Sequence, residues 1–265
     1  MSLKQKYGSC ALIAGASEGI GAAFATQLAA AGMDLVLVAR RKEPLEQFAK
    51  ELIQQYGVAV DIICCDLALT SAAEQIQNAL QGRTINLFVY NAALSYIGPF
   101  EKNSIEHHHQ IAQANMVTPM QLTQLFGTQM LQEAKGAIIL MASLAGFQGS
   151  GFLSAYAATK AFNRVFAESL WYEWKNRGVD VIACCAGATA TPNFIKTKPE
   201  KTSFFAPRIQ HPDEVAKECL AKLGTTPSFI TGTGNKIASF IMQRLMPRRL
   251  ASTTMGDTTR QMYRL

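Results

Sequence analysis

The chain lacks any uncharged apolar run of the ~18 residues that a membrane-spanning helix needs. Its first stretch, Met1 to Gly8, is short and polar and runs straight into a β-like segment, so no signal peptide is expected. None of the six cysteines forms a C-x-x-C pair. Four of them stand as the neighbours Cys64-Cys65 and Cys184-Cys185 inside apolar runs. Adjacent strand residues face opposite sides of a sheet, which makes such pairs poor metal clamps. We read all six as small buried hydrophobes of a reducing cytoplasm. His107-His108-His109 is no better a metal site, because consecutive helical residues point ~100° apart and share one ion poorly. No metal is expected. There is no helix-turn-helix, RNP or zinc-finger pattern, and so no nucleic-acid partner is expected.

Charge is sparse as well. Of 265 residues, 17% are charged and 49% apolar, which is a globular composition with ample material for one core. The net charge of +6 sits at one end. Residues 236–265 hold Lys236, Arg244, Arg248, Arg249, Arg260 and Arg264 against Asp257 alone, a balance of +5 that leaves +1 for the first 235 residues.

What is present is an alternation. Short apolar runs read as strands at Ser9–Ala14, Asp34–Ala39, Val58–Cys64, Leu87–Tyr90, Ala137–Ala142, Val179–Cys185 and Phe229–Thr231. They are almost wholly apolar rather than alternating, as expected of strands covered on both faces. Helical patterns lie between them, near Ile20–Ala31, Glu43–Tyr56, Ser71–Leu80, Ser104–Gln132, Ser154–Asn176 and Pro212–Leu223. The expected fold is α/β, a doubly wound parallel sheet with right-handed crossovers, in one domain.

The first strand runs into Gly15-Ala-Ser17-Glu18-Gly19-Ile20-Gly21 and then a helix. Glycines let the backbone turn sharply and approach a ligand closely. The helix start offers free N–H groups to a pyrophosphate. No Lys-Ser/Thr follows, so this is not a triphosphate loop. The second strand ends in Ala39-Arg40-Arg41-Lys42, with no carboxylate before Glu43. A basic residue there accommodates a 2′-phosphate, so NADP(H) is preferred over NAD(H). Asp66 and Leu67, after the third strand, are placed to meet an adenine.

Ser143, Tyr156 and Lys160 form the reactive set. Residues four apart on a helix share a face, which brings Tyr156 and Lys160 together. An ammonium near a phenol is expected to pull the phenol pKa down from ~10 toward neutrality. Ser143 adds a hydroxyl able to bond the same oxygen. The three read as a proton-transfer site for a carbonyl or an alcohol.

Gly15-x-x-x-Gly19-x-Gly21, Asn91-Ala92, Asn115, Ser143, Tyr156-x-x-x-Lys160 and Gly187 stand in the order and spacing of the short-chain dehydrogenase/reductase family. Over residues 6–235 the chain resembles that family, and within it the 17β-hydroxysteroid and 3-oxoacyl reductase branch. The resemblance implies a seven-stranded Rossmann domain, a nicotinamide cofactor and hydride transfer. It implies a catalytic set of Asn115, Ser143, Tyr156 and Lys160, with Lys160 also bonding the nicotinamide ribose. It adds Asn91, Ala92, Ala93, Gly187, Thr189 and Thr191 to the cofactor contacts. Ala14, Ala93, Ala186 and Glu18 depart from the family's usual residues, and none of them belongs to the proton-transfer set.

The long connection Ala188–His211 carries Phe194, Ile195, Phe204 and Phe205 and reads as a lid. With Phe147, Phe152 and Leu153 it points to a bulky, apolar ketone or alcohol, 3-oxoacyl or steroid-like. Lys236–Met246 reads as an amphipathic helix, its stripe being Ile237, Phe240, Ile241 and Leu245, widened by Met242 and Met246, and Pro247 ends it. Residues 236–265 then form a basic tail with three open roles: packing on this or a partner subunit, lining the substrate entrance, or peripheral membrane contact. The apolar surface of the Ser154–Asn176 helix suggests a homodimer or homotetramer, and the location is expected to be cytoplasmic. The alternative function is a non-catalytic dinucleotide sensor or scaffold. A methyltransferase on a similar sheet is disfavoured by the glycine spacing.

Overall fold

The computed structural model describes residues 1–200 and 209–265. Its frame is a seven-stranded sheet of β1 (Cys10–Ala14), β2 (Asp34–Ala39), β3 (Val60–Cys64), β4 (Leu87–Tyr90), β5 (Gly136–Ser143), β6 (Val179–Ala186) and β7 (Ser228–Ile230). All neighbours are parallel, in the order β3-β2-β1-β4-β5-β6-β7. Leu12 of β1 lies level with Val36 of β2 and Phe88 of β4.

The largely apolar strands divide residue by residue between two cores, because successive side chains leave a strand on opposite faces; at the edge β3 instead exposes Asp61 and Cys64, so Cys64 is not the buried hydrophobe expected. Ala11, Ile13, Leu35, Leu37, Val89 and Ile139 face one core. That core is covered by the short helix α1 (Leu3–Tyr7), by α2 (Gly19–Ala30) and by α3 (Lys42–Tyr56). Leu12, Val36, Phe88, Tyr90, Ile138 and Leu140 face the other core. There α4 (Ala72–Leu80) supplies Ile76. The adjacent Cys184 and Cys185 split in the same way, one to each core.

The segment expected to be one helix, Ser104–Gln132, is broken. α5 (Ile105–Ala112) gives way to a π-turn at Gln113–Val117 before α6 (Thr118–Gln132). Pro119 has no N–H to return to the Asn115 carbonyl, which removes one rung of the helical ladder there. Tyr90 also takes the Ala114 carbonyl with its hydroxyl. The wider turn results. On the same face, α7 (Ser154–Trp174) packs Ala167, Leu170 and Trp174 into the second core beside Leu122 and Phe126 of α6.

The connection after β6 contains a short helix, α8 (Pro192–Lys196), and Phe204 and Phe205 lie outside the described residues. α9 (Pro212–Lys222) returns to the first core through Val215, Ala216 and Cys219. The tail differs most from expectation. α10 (Thr233–Phe240) runs into a π-turn at Ile241–Leu245, and after Pro247 a further helix, α11 (Arg248–Tyr263), follows. Pro247, at φ −55°, sits at the helix start, where its ring is tolerated. Residues 248–263 carry few apolar side chains, so their helix leaves no stripe in the sequence.

The chain leaves β1 toward β2 on one side, and after β3 it crosses back to place β4 on the other. A crevice opens at that reversal, beyond the C-terminal ends of β1 and β4. The glycine loop and the ends of β4, β5 and β6 all face it.

Candidate active site

The glycine loop is built so tightly that side chains are excluded. Gly15 has φ +84°, and a Cβ there would lie 2.7 Å from the Ala92 nitrogen. A Cβ on Gly21 would collide with the Gly15 carbonyl oxygen. Asn91 fixes the same carbonyl by donating its Nδ2–H at 3.0 Å. Gly19, at φ +61°, opens α2 and faces Thr191 across the crevice.

Glu18 precedes α2 yet gives its amides no side-chain cap. Its carboxylate turns instead to Arg41, 2.6 Å away. The first N–H groups of α2 therefore keep no protein acceptor from Glu18, as an anion-binding helix start requires. The same ion pair draws the end of β2 against the glycine loop, and Arg40 beside it is exposed. Asp66 accepts the Ala68 N–H at 3.0 Å. Leu67 packs its side chain into the second core.

Ser143 ends β5, and the first turn of α7 carries Tyr156. The Tyr156 phenol and the Ser143 hydroxyl line the same cavity, and Ser143 Oγ accepts the Ala145 N–H at 3.2 Å. Lys160, one turn further, is buried, and its Nζ donates to the Met141 carbonyl at 2.8 Å. That corrects one expectation. Lys160 does not bring the phenol pKa down overall: its ammonium donates to Met141 and lies 5.7 Å from the Tyr156 ring centre, so burial outweighs its pull. Burial instead raises the phenol pKa, the neighbouring Ser143 hydroxyl opposes that rise, and Tyr263 adds to it. Burial lowers Lys160 to about 8, against smaller opposing effects of Cys184 and Cys185.

Asn115 is buried and lies outside the lining of the cavity that Ser143, Tyr156 and Lys160 share. Its amide exchanges two 2.8 Å hydrogen bonds with the Leu94 backbone and donates to Thr159 Oγ1 at 3.0 Å. The π-turn thus ties the loop after β4 to α7, the helix that bears Tyr156 and Lys160.

A cavity of about 340 Å³ connects these parts. Its walls include Ile20, Asn91, Ala93, Ser143, Tyr156, Lys160, Gly187, Thr189 and Thr191. Gly187 has no room for a Cβ, which would stand 2.5 Å from Asn235 Nδ2. Thr189 bonds the Gly187 carbonyl at 3.1 Å, and Thr191 caps α8 by accepting the Phe194 N–H at 3.1 Å.

The far wall is apolar and comes mostly from residues the sequence reading did not single out. Met242 of the π-turn and Met255, Thr258, Thr259, Met262 and Tyr263 of α11 line it. Of the aromatic and aliphatic residues expected there, Phe194 and Leu153 reach the cavity. Phe147 and Phe152 do not. Arg164 lies 4.6 Å from the Phe147 ring centre and Arg260 5.2 Å from that of Phe152. His107 and His108 are occupied locally, by Asn103 at 2.9 Å and by stacking on Phe100 at 4.3 Å.

Residues 9–202 match the family described as short chain dehydrogenase. The chain is 33% identical over 236 residues to a 7beta-hydroxysteroid dehydrogenase of Clostridium sardiniense, covering 89% of this chain and 90% of that one. A solved 7beta-hydroxysteroid dehydrogenase, studied for its stereoselectivity, superposes with a TM-score of 0.89 at 31% identity, over 96% of this chain and 99% of that one. A short-chain dehydrogenase from Sphingobium yanoikuyae, solved in complex with NADPH, gives 0.75 at 29% identity, covering 84% and 87%.

Proposed function

Because this chain belongs to the short-chain dehydrogenase family, with hydroxysteroid dehydrogenases and 3-oxoacyl-CoA reductases among its relatives, we propose that it transfers hydride between NADP(H) and a bulky, apolar ketone or secondary alcohol. Its reaction class is that of the family, oxidoreduction at the CH–OH/C=O pair. One observation carries the finer reading: Ser143, Tyr156 and Lys160 share a single cavity with Gly187, Thr191 and a wall of methionines.

The cradle fits a dinucleotide. Gly15 and Gly21 bring backbone where a side chain would collide, and the start of α2 is free of a side-chain cap. Gly15, Ser17, Gly19 and Ile20 would hold the pyrophosphate, and Asp66 with the Leu67 backbone the adenine end. Arg40 and Arg41 support a 2′-phosphate, as does the NADPH-bound relative. Asn91, Gly187, Thr189 and Thr191 would flank the nicotinamide, which when bound supplies or takes up the hydride.

The protein's own part is the proton. Ser143 and Tyr156, which line one cavity, present two hydroxyls to one carbonyl oxygen. Burial keeps the phenol protonated through the neutral range, which is the form that reduction needs. Negative charge grows on the carbonyl oxygen as its carbon is reduced, and the Tyr156 O–H gives up its proton to that oxygen. The Lys160 ammonium, one turn away, then stabilises the phenolate left behind. Alcohol oxidation runs the same transfer backwards. Asn115 holds the loop after β4 against Thr159 and so positions α7.

Met242, Met255 and Met262, with Leu153 and Phe194, support an extended apolar substrate, since thioethers fill irregular space around such shapes. Val165 and Tyr172, exposed on the outer face of α7, support a homo-oligomer. The test is NADPH and NADH oxidation over a panel of steroid ketones, 3-oxoacyl thioesters and small ketones, repeated with R40A/R41A. We expect turnover of a bulky ketone with NADPH, and a preference over NADH that falls about tenfold or more in the double variant. Turnover confined to small polar carbonyls, or equal use of NADH, contradicts the reading.

A further inference from the structure

The segment that carries α10 and its π-turn is amphipathic in the inverted sense. Asn235 and Ser239 point inward and are 5% and 6% exposed. Ile237, Phe240, Ile241 and Leu245 are 58%, 59%, 40% and 67% exposed. Their spacing of three, four and eight residues gathers them on one helical face. The inner face explains itself. Asn235 Nδ2 donates to Gln210 Oε1 at 3.1 Å and to the Thr231 carbonyl at 3.0 Å, while Ser239 and Met242 line the cavity. Among the described residues, nothing covers the outer face. One exposed leucine requires no account, but a contiguous group of large apolar side chains marks an interaction surface.

Charge identifies the occupant. From Thr233 to Gly256 the chain carries Lys236, Arg244, Arg248 and Arg249 and no carboxylate. Glu218 lies 3.8 Å from Lys236, and Arg248 donates to the Phe147 carbonyl at 2.9 Å. Among the described residues no carboxylate pairs with Arg244 or Arg249. A second copy packed about a two-fold axis would set this cationic patch against itself, which costs free energy. An anionic surface turns the same cations into attraction.

We propose that this face docks on an anionic lipid bilayer. Ile237, Phe240, Ile241 and Leu245 enter the boundary between headgroups and acyl chains, and Arg244 and Arg249 meet the lipid phosphates. The segment lies along the surface and does not cross it, since no described helix is long and apolar enough to span.

The experiment is sedimentation of the full chain with vesicles of phosphatidylglycerol and phosphatidylcholine, against vesicles of phosphatidylcholine alone. Two variants are compared, F240S/L245S and R244E/R249E, with light scattering of each in solution. None of these four residues lines the cavity, so ketone reduction in lipid-free buffer monitors folding without testing the docking. We expect the protein to pellet with the anionic vesicles, to be released by high salt, and to bind about tenfold or more weakly in each variant. Failure to pellet with anionic vesicles overturns the proposal, as does unchanged pelleting of both variants. So does a dimer that F240S/L245S converts to monomer without any vesicle binding, since the face is then covered by a second copy.

Discussion

The nucleotide side and the substrate side of the cavity are made by different means. The nucleotide side, from β1 to the end of β4, is defined by what is missing. Gly15 and Gly21 bring one piece of backbone against another, and the first turn of α2 has no side-chain cap. Little there tolerates change. The substrate side is defined by what projects. Met242, Met255, Thr258, Thr259 and Met262 reach in from a π-turn and a C-terminal helix laid over the opening. Methionines and threonines on such a wall can be exchanged without disturbing the sheet. In the function proposed above, the chemistry then sits on a frame held by sterics, and substrate choice falls to a cover that can vary independently.

The comparison can be broken first at Gly21. A valine there must push against the Gly15 carbonyl oxygen. Nucleotide affinity, read by fluorescence titration, should fall about a hundredfold or more while the far-ultraviolet dichroism stays native. A fall of less than about threefold removes the claim that close backbone approach builds the cradle.

The junction between the two sides is sharpened by pH. Burial lowers the Lys160 pKa to about 8, whereas that of the Tyr156 phenol is raised. Above that pH the ammonium loses its charge and no longer stabilises a departing phenolate. Ketone reduction should therefore be level below pH 8 and fall by up to about tenfold per pH unit above it. A rate that rises through pH 9 means that Lys160 does not act in this way.

The smallest effect belongs to the cover. M255A/M262A enlarges the apolar wall and should shift the ratio of kcat/KM between a large and a small ketone by about tenfold, with NADPH affinity unchanged. Loss of nucleotide binding in that variant would falsify the separation of the two sides.

The same division explains how far the sequence could be read. The strands were legible because nearly all their residues are apolar, and the glycine loop because φ +84° at Gly15 and the collision at Gly21 admit no other residue. Tyr156 and Lys160 were legible because helical spacing alone puts them on one face. The π-turn at Asn115 was missed, although Pro119 four residues on was its signal. α11 was missed because a helix rich in threonine, with its apolar residues scattered, shows no periodic stripe. The apolar stripe of α10 was legible as a stripe, but which way it faced depends on the buried Asn235 and Ser239, whose partners lie elsewhere in the chain. The Lys160 contact with Met141 was likewise out of reach, because it joins α7 to β5 across 19 residues.

The account stands most directly on the proton that leaves Tyr156. Tyr156→Phe removes one oxygen, keeps the ring and leaves the glycine cradle untouched. With saturating NADPH and the best ketone from the panel, kcat should fall about a hundred- to ten-thousand-fold, while the NADPH dissociation constant stays within about twofold. A kcat within about threefold of the unaltered enzyme contradicts the account.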